Sequence, residues 1–190
     1  MTEMDPIHKR GQALEDEFFH RVDEKLRDQL QSKLAREKSG QAIAEATGLR
    51  DPKLLNDLVD AGFQSTTLAA LALVPAIFVA WADGSVTEKE RETVMSDALN
   101  RGLDRQTVAF QLIEHWLRER PARSLWTVWK DYAAAVYLDM SPTTAKALAA
   151  EILNQATAVA RASGGTLGIG KVSAAEQAIL EQIAGVARTS

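Results

Sequence analysis

Leu14, Phe18, Val22, Leu26, Leu30 and Leu34 place an apolar residue on every fourth position, with mostly charged and polar residues between them. This spacing predicts one long amphipathic helix over residues 1–40. A step of four exceeds the 3.6-residue turn, so the apolar stripe advances about 40° per step and winds around the helix. Such a helix lies obliquely on its partner, or docks its two ends on different partners. Residues 1–40 also hold 17 of the 48 charged residues, both signs interleaved. We therefore read this stretch as an arm and residues 41–190 as the domain.

Beyond the arm, helix start and stop signals follow at short intervals. Gly48 is expected to end a short helix, Asp51-Pro52 to open the next and Gly62 to close it, because aspartate caps orphan amides, proline suits the first helical position and glycine accepts a left-handed C-terminus. Ser65 or Thr66 starts a core helix through Leu68–Ala82. This run of 15 residues is interrupted by Pro75 and closed by Asp83, too short for a bilayer span of ~20 residues. Pro75 removes a backbone donor and predicts a kink near Ala72–Pro75. Further helices are expected from Thr87 to about Asn100, from the cap Asp104 to a stop before Pro121, from Ser124 through Tyr137, from Ser141-Pro142 to about Ala162, and after Ser173. In the Asp104 helix, Ala109, Leu112, Ile113, Trp116 and Leu117 share one face. The sum is an all-α fold: one bundle of seven to eight helices, with no confident strand and no interdomain linker.

Two stretches echo each other. Val79-Ala-Trp-Ala-Asp83-Gly84 followed by Ser85-Val-Thr-Glu-Lys-Glu90 matches Val159-Ala-Arg-Ala-Ser163-Gly164 followed by Lys171-Val-Ser-Ala-Ala-Glu176, with Gly165–Gly170 inserted in the second copy. Each copy is a helix, a glycine turn and a helix. Thr87 stands three residues before Glu90, and Ser173 three before Glu176. That is capping-box spacing, in which the hydroxyl accepts from one orphan amide and the carboxylate reaches back to the cap's own amide. Asp83, Glu88 and Glu92 of the first copy face Ser163, Ala174 and Ala178 in the second, so these three acids are not required by the shared hairpin.

The run AWADGSVTEKERE with its preceding ALALVPAIFV, and the later RASGGTLGIGKVSAAEQAILEQI, resemble the tellurite-resistance TerB-like family, an all-helical bundle carrying an ADG-x-hydrophobic-x-x-x-E hairpin. The match covers about residues 67–100 and 145–187 and leaves the arm outside. It implies a small cytoplasmic helical protein associated with metal-oxyanion or other stress responses, whose acidic surface binds a divalent metal. Ser163 stands where the second copy would need an aspartate, which argues against a symmetric pair of metal sites.

Composition narrows the chemistry. The chain has 190 residues, 46% hydrophobic and 25% charged, enough to bury a core without staples. With no cysteine and only His8, His20 and His115 as imidazoles, thiolate nucleophiles and sulfur-ligated metal sites are excluded. A formal net charge of −4 and a pI near 5.5 argue against nucleic-acid binding driven by phosphate contacts. The first residues carry acids from Glu3 onward and no apolar leader core, so a cytoplasmic location is expected.

Asp83-Gly84 and Glu90 also match the second half of an EF-hand loop, but the earlier ligand positions fall on Val79 and Trp81, so a calcium cage cannot close. A looser divalent-cation site on Asp83, Glu88 and Glu92, keeping several metal waters, stands as one reading. The other is that acids at a helix start complement its dipole. Gly165 to Lys171 satisfies G-x-x-x-x-G-K, yet Val172 replaces the magnesium-binding hydroxyl and a helix precedes the loop, so an interhelical turn is expected. Trp116, Trp126 and Trp129 interleave with Arg118, Arg120, Arg123 and Lys130, but Trp116 and Trp129 fall on apolar helix faces and are assigned to the core. His115 has no companion with catalytic spacing. Two function classes remain, both non-enzymatic: a cation-binding stress-response protein of the TerB-like kind, or an adaptor that docks a protein partner, or a second copy, through its N-terminal helix.

Overall fold

The computed structural model describes the backbone of residues 6–162 and 172–189, and the side chains of residues 25–162 and 172–186. Among the described residues eight α-helices follow one another: α1 (Pro6–Thr47), α2 (Pro52–Asp60), α3 (Val74–Ala80), α4 (Glu88–Asn100), α5 (Val108–Arg118), α6 (Arg123–Leu138), α7 (Pro142–Ala162) and α8 (Ala174–Thr189). A 3-10 segment, Leu68–Leu73, leads into α3. The described residues contain no strand, and none of their helices is long and apolar enough to cross a membrane.

The expected core helix is present as two pieces. Residues 68–73 take the tighter 3-10 winding and α3 begins at Val74, with Pro75 in its first turn. Proline cannot supply the amide that would bond the carbonyl four residues back, and a chain that changes winding just before it never needs that bond. Six of the seven residues of α3 are buried, Phe78 being the exception. A helix that is apolar on every side belongs at the centre. The 3-10 segment and α4, α5, α6, α7 and α8 all pack on α3.

The repeated hairpins, α3–α4 and α7–α8, pack on each other within this core. Ala76, Val79 and Ala80 of α3 correspond to Ala156, Val159 and Ala160 of α7, and all six are buried. Small residues at matching positions let α3 and α7 approach closely, since interaxial distance follows side-chain size at the contact. Both expected capping boxes are formed, Thr87 with Glu90 and Ser173 with Glu176.

Several boundaries move from the sequence expectation. The chain has no separate short helix before Gly48, because α1 runs unbroken from Pro6 to Thr47. The alanines at 42, 44 and 46 favour helix, and a lone Gly40 costs only about 1 kcal/mol relative to alanine. Gly48 then ends α1 with a positive φ of 77°. Asp104 instead closes a turn, accepting from the Gln106 amide at 2.9 Å, and Thr107 caps α5 by accepting from the Phe110 amide at 3.2 Å. Ala122, not Ser124, precedes α6 and supplies no side-chain cap. Asp51 caps α2 as expected, at 2.9 Å from the Lys53 amide.

Candidate functional site

The acidic turn between α3 and α4 is built on the end of the central helix. Trp81 anchors it, its indole N–H donating to the Trp116 carbonyl of α5 at 2.7 Å. Gly84 takes a φ of 99°, the left-handed region that a side chain resists, and so turns the chain outward. Asp83 accepts from the Ser85 amide at 3.2 Å and so closes its own local turn. At Thr87 the box is complete: the Thr87 amide donates to Glu90 Oε2 at 2.7 Å, the Thr87 hydroxyl donates to the same oxygen at 2.8 Å, and the Glu90 amide donates to Thr87 Oγ1 at 3.3 Å.

Glu90 is only 1% exposed, and burial pushes its carboxyl above the ordinary range. The two hydrogen bonds from Thr87 oppose this rise, while the charges of Asp83 and Glu176 add to it. Glu90 is therefore engaged in the cap, with both donors of Thr87 on one of its oxygens.

The three acids assigned to a cation site are not gathered. Asp83 is held in its Asx turn. Glu88, largely exposed, lies 3.7 Å from Arg91 Nε, and Arg91 in turn donates to the Leu117 carbonyl at 2.9 Å. Glu92 lines a groove of about 560 Å³ between α4 and α7. Among the described residues no three histidine, aspartate or glutamate side chains form a group able to hold a metal ion. The groove ends at a bridge absent from the sequence reading: Arg101 binds Asp97 at 3.3 Å on its own helix and reaches Glu151 at 3.1 Å, and Gln155, on α7. Only the fold could bring residues 50 and 54 positions apart together.

The arm is the other candidate. Among the described side chains its attachment to the bundle lies at its C-terminal end, where Ile43 is fully buried, a β-carbon added at Gly40 would meet Val59, and Arg36 pairs with Asp60 of α2. Residues 25–38 are exposed throughout. Leu26, Leu30 and Leu34 are 52%, 52% and 56% exposed. At 100° per residue, Leu30 and Leu34 lie about 140° and 180° around the helix from Ile43, so they face away from the bundle. Leu14, Phe18 and Val22 lie on the same helix, outside the described side chains.

A third feature is an apolar cavity of about 360 Å³ between the 3-10 segment, α6 and α7, lined by Leu68, Leu71, Trp129, Tyr132, Tyr137 and Ile152 among others. Burial raises both phenols above their ordinary range. The hydroxyl of Thr47 at its edge is spent on the Ile43 carbonyl at 2.7 Å. Periodicity could not have found this cavity, since α1, the 3-10 segment, α6 and α7 all contribute walls to it.

The tryptophans serve packing, as expected for Trp116 and Trp129, which are buried. Trp126 stacks on Trp129 with centroids 4.8 Å apart and donates to Gln182 of α8 at 3.0 Å. His115 is exposed on α5. The glycine-rich run 165–171 lies outside the described residues, as do the side chains of His8 and His20. No protein-family model matches the chain, and no curated protein or solved structure is significantly similar to it.

Proposed function

We propose that this chain is a non-enzymatic binding module in which the α2–α8 bundle is the support and α1 is the docking element for a protein partner. The observation that carries this reading is the row of exposed leucines, Leu26, Leu30 and Leu34, of which Leu30 and Leu34 lie on the side of α1 turned away from its own bundle. Other large exposed apolar residues, Leu99, Val108 and Leu138, are isolated on different helices, as on any soluble surface. Three leucines on successive turns of one helix are a continuous strip, which marks an interaction face. The resemblance of residues 67–100 and 145–187 to the TerB-like family supports a role in tellurite or other stress resistance, in the cytoplasm. A cation site on Asp83, Glu88 and Glu92 rests on that resemblance and on the i, i+4 spacing of Glu88 and Glu92.

Removing residues 1–36 tests the reading. The shortened chain is expected to melt cooperatively close to the full chain's temperature and to sediment as a monomer. Unfolding or precipitation of the shortened chain would show that the arm completes its own bundle, and would overturn the proposal.

A further inference from the structure

We infer that the apolar cavity against α6 is a binding site for a small neutral molecule, elongated and apolar in its middle, with a hydrogen-bond acceptor at each end. Size and lining exclude most other occupants. No residue lining the cavity is charged, and Leu71, Trp129, Ala133, Tyr137 and Ile152 of its walls are buried. An ion brought there would lose its hydration without meeting a counter-charge, so the occupant is uncharged. At about 360 Å³ the space is more than twice the ~150 Å³ that holds one benzene ring, which makes room for two fused rings. Entry is open, because the exposed lining residues Ala46, Ser65 and Ala69 have side chains too short to close it.

The acceptors follow from donors that the fold leaves unspent. Trp129 is 2% exposed and Tyr137 5%, and a buried indole or phenol ordinarily finds a partner. Trp81 and Trp126 do so, donating to the Trp116 carbonyl and to Gln182. The Trp129 indole N–H and the Tyr137 hydroxyl have no hydrogen-bond partner among the described residues. Nor, among those residues, is any unpartnered side-chain nitrogen or oxygen sealed off completely, so both groups keep some accessible surface while the rest of each side chain is packed away. Both residues line the cavity, and that surface opens into it. Thr47 cannot satisfy them, since its hydroxyl is committed to the Ile43 carbonyl and the Leu49 amide. An indole nitrogen only donates and a phenol donates readily, so each calls for an acceptor. Residues 129 and 137 stand about 12 Å apart along α6, which places the two donors at opposite ends of the space.

The probe that matches is 2-acetyl-6-methoxynaphthalene, two fused rings with a ketone at one end and an ether at the other. Calorimetric titration of the full chain is expected to give saturable binding at one per chain. Naphthalene, which lacks acceptors, should bind at least ~5-fold more weakly, and the anion 2-naphthoate should not saturate. Tyr137→Phe should weaken the probe about 2- to 10-fold and leave naphthalene unchanged. Ala72→Phe, at a half-buried lining position, should fill the cavity and abolish binding of both. If that variant does not fold, nuclear Overhauser contacts from the probe to the rings of Tyr132 and Tyr137 in wild type locate the site instead. The inference is overturned if the probe does not saturate, if naphthalene or naphthoate binds as tightly, if Tyr137→Phe changes nothing, or if a folded Ala72→Phe binds normally or the Overhauser contacts are missing. The outcome is independent of the docking reading, because α1 contributes to the walls only at its root, through Ala46 and Thr47.

Discussion

Glu90 and Glu176, the capping glutamates of the two repeated hairpins, are both buried and stand near enough for the charge of Glu176 to raise the proton affinity of Glu90. Each carboxylate closes the first turn of its helix, Glu90 through Thr87 and Glu176 through the Ser173 amide at 2.6 Å. The packing of α3–α4 on α7–α8 thus brings two like charges into the interior, and their hydrogen bonds to the caps offset part of the cost.

Stability should follow the protonation of Glu90. Its folded value is raised above the ordinary 4.5, so the folded state holds the proton more tightly than the unfolded chain. The stability it contributes is complete below about pH 4.5 and is lost as pH rises through the raised value. Glu90→Gln keeps an acceptor for the Thr87 amide without the charge. Its melting temperature, measured against wild type from pH 4 to 8, should gain on wild type as pH rises. A constant offset between the two curves would contradict the assignment.

The two caps should carry comparable weight. Thr87→Ala or Ser173→Ala each removes the acceptor for an orphan amide and should cost about 1 kcal/mol in urea unfolding. The slopes of the transitions should match wild type, because a cap contributes little to the surface exposed on unfolding. A loss below a few tenths at both positions would mean that water satisfies those amides equally well.

Core and arm leucine-type residues should separate cleanly. Ile77 is fully buried at the centre of α3, and Ile77→Ala should cost ~2–5 kcal/mol through lost transfer energy and a cavity. Leu30→Ala should change unfolding of the monomeric chain by no more than ~0.5 kcal/mol. A large loss from Leu30→Ala in the monomer would show that the leucine is covered within its own chain.

Calorimetric titration with calcium, zinc and manganese is expected to give no saturable binding that depends on Asp83, since among the described residues no three acidic or histidine side chains form a group able to hold a metal ion. A saturable isotherm in wild type, abolished by Asp83→Asn with Glu88→Gln, would restore the cation reading.

The sequence by itself determined the helices and their caps. Asp51-Pro52, Thr87 with Glu90 and Ser173 with Glu176 specify helix starts because each satisfies amides within three residues of itself, a purely local condition. The buried face of α5 was legible for the same reason, as the 3.6-residue period is local. Where several weak signals competed, the sequence reading went astray: Asp104 caps as well as Thr107 in isolation, and Gly40 to Gly48 permits either a break or a continuous helix.

Only the tertiary structure decided that the core helix divides into a 3-10 segment and α3, that Glu92 lines the groove between α4 and α7, and that Arg101 spans to Glu151 and Gln155. These depend on residues far apart in the chain meeting through packing, and no window of sequence contains both partners. The apolar spacing of the arm was written in the sequence, yet whether its own bundle covers the leucines was not. That turned on the rotation of α1 about its axis, which the burial of Ile43 and the nearness of Gly40 to Val59 fix.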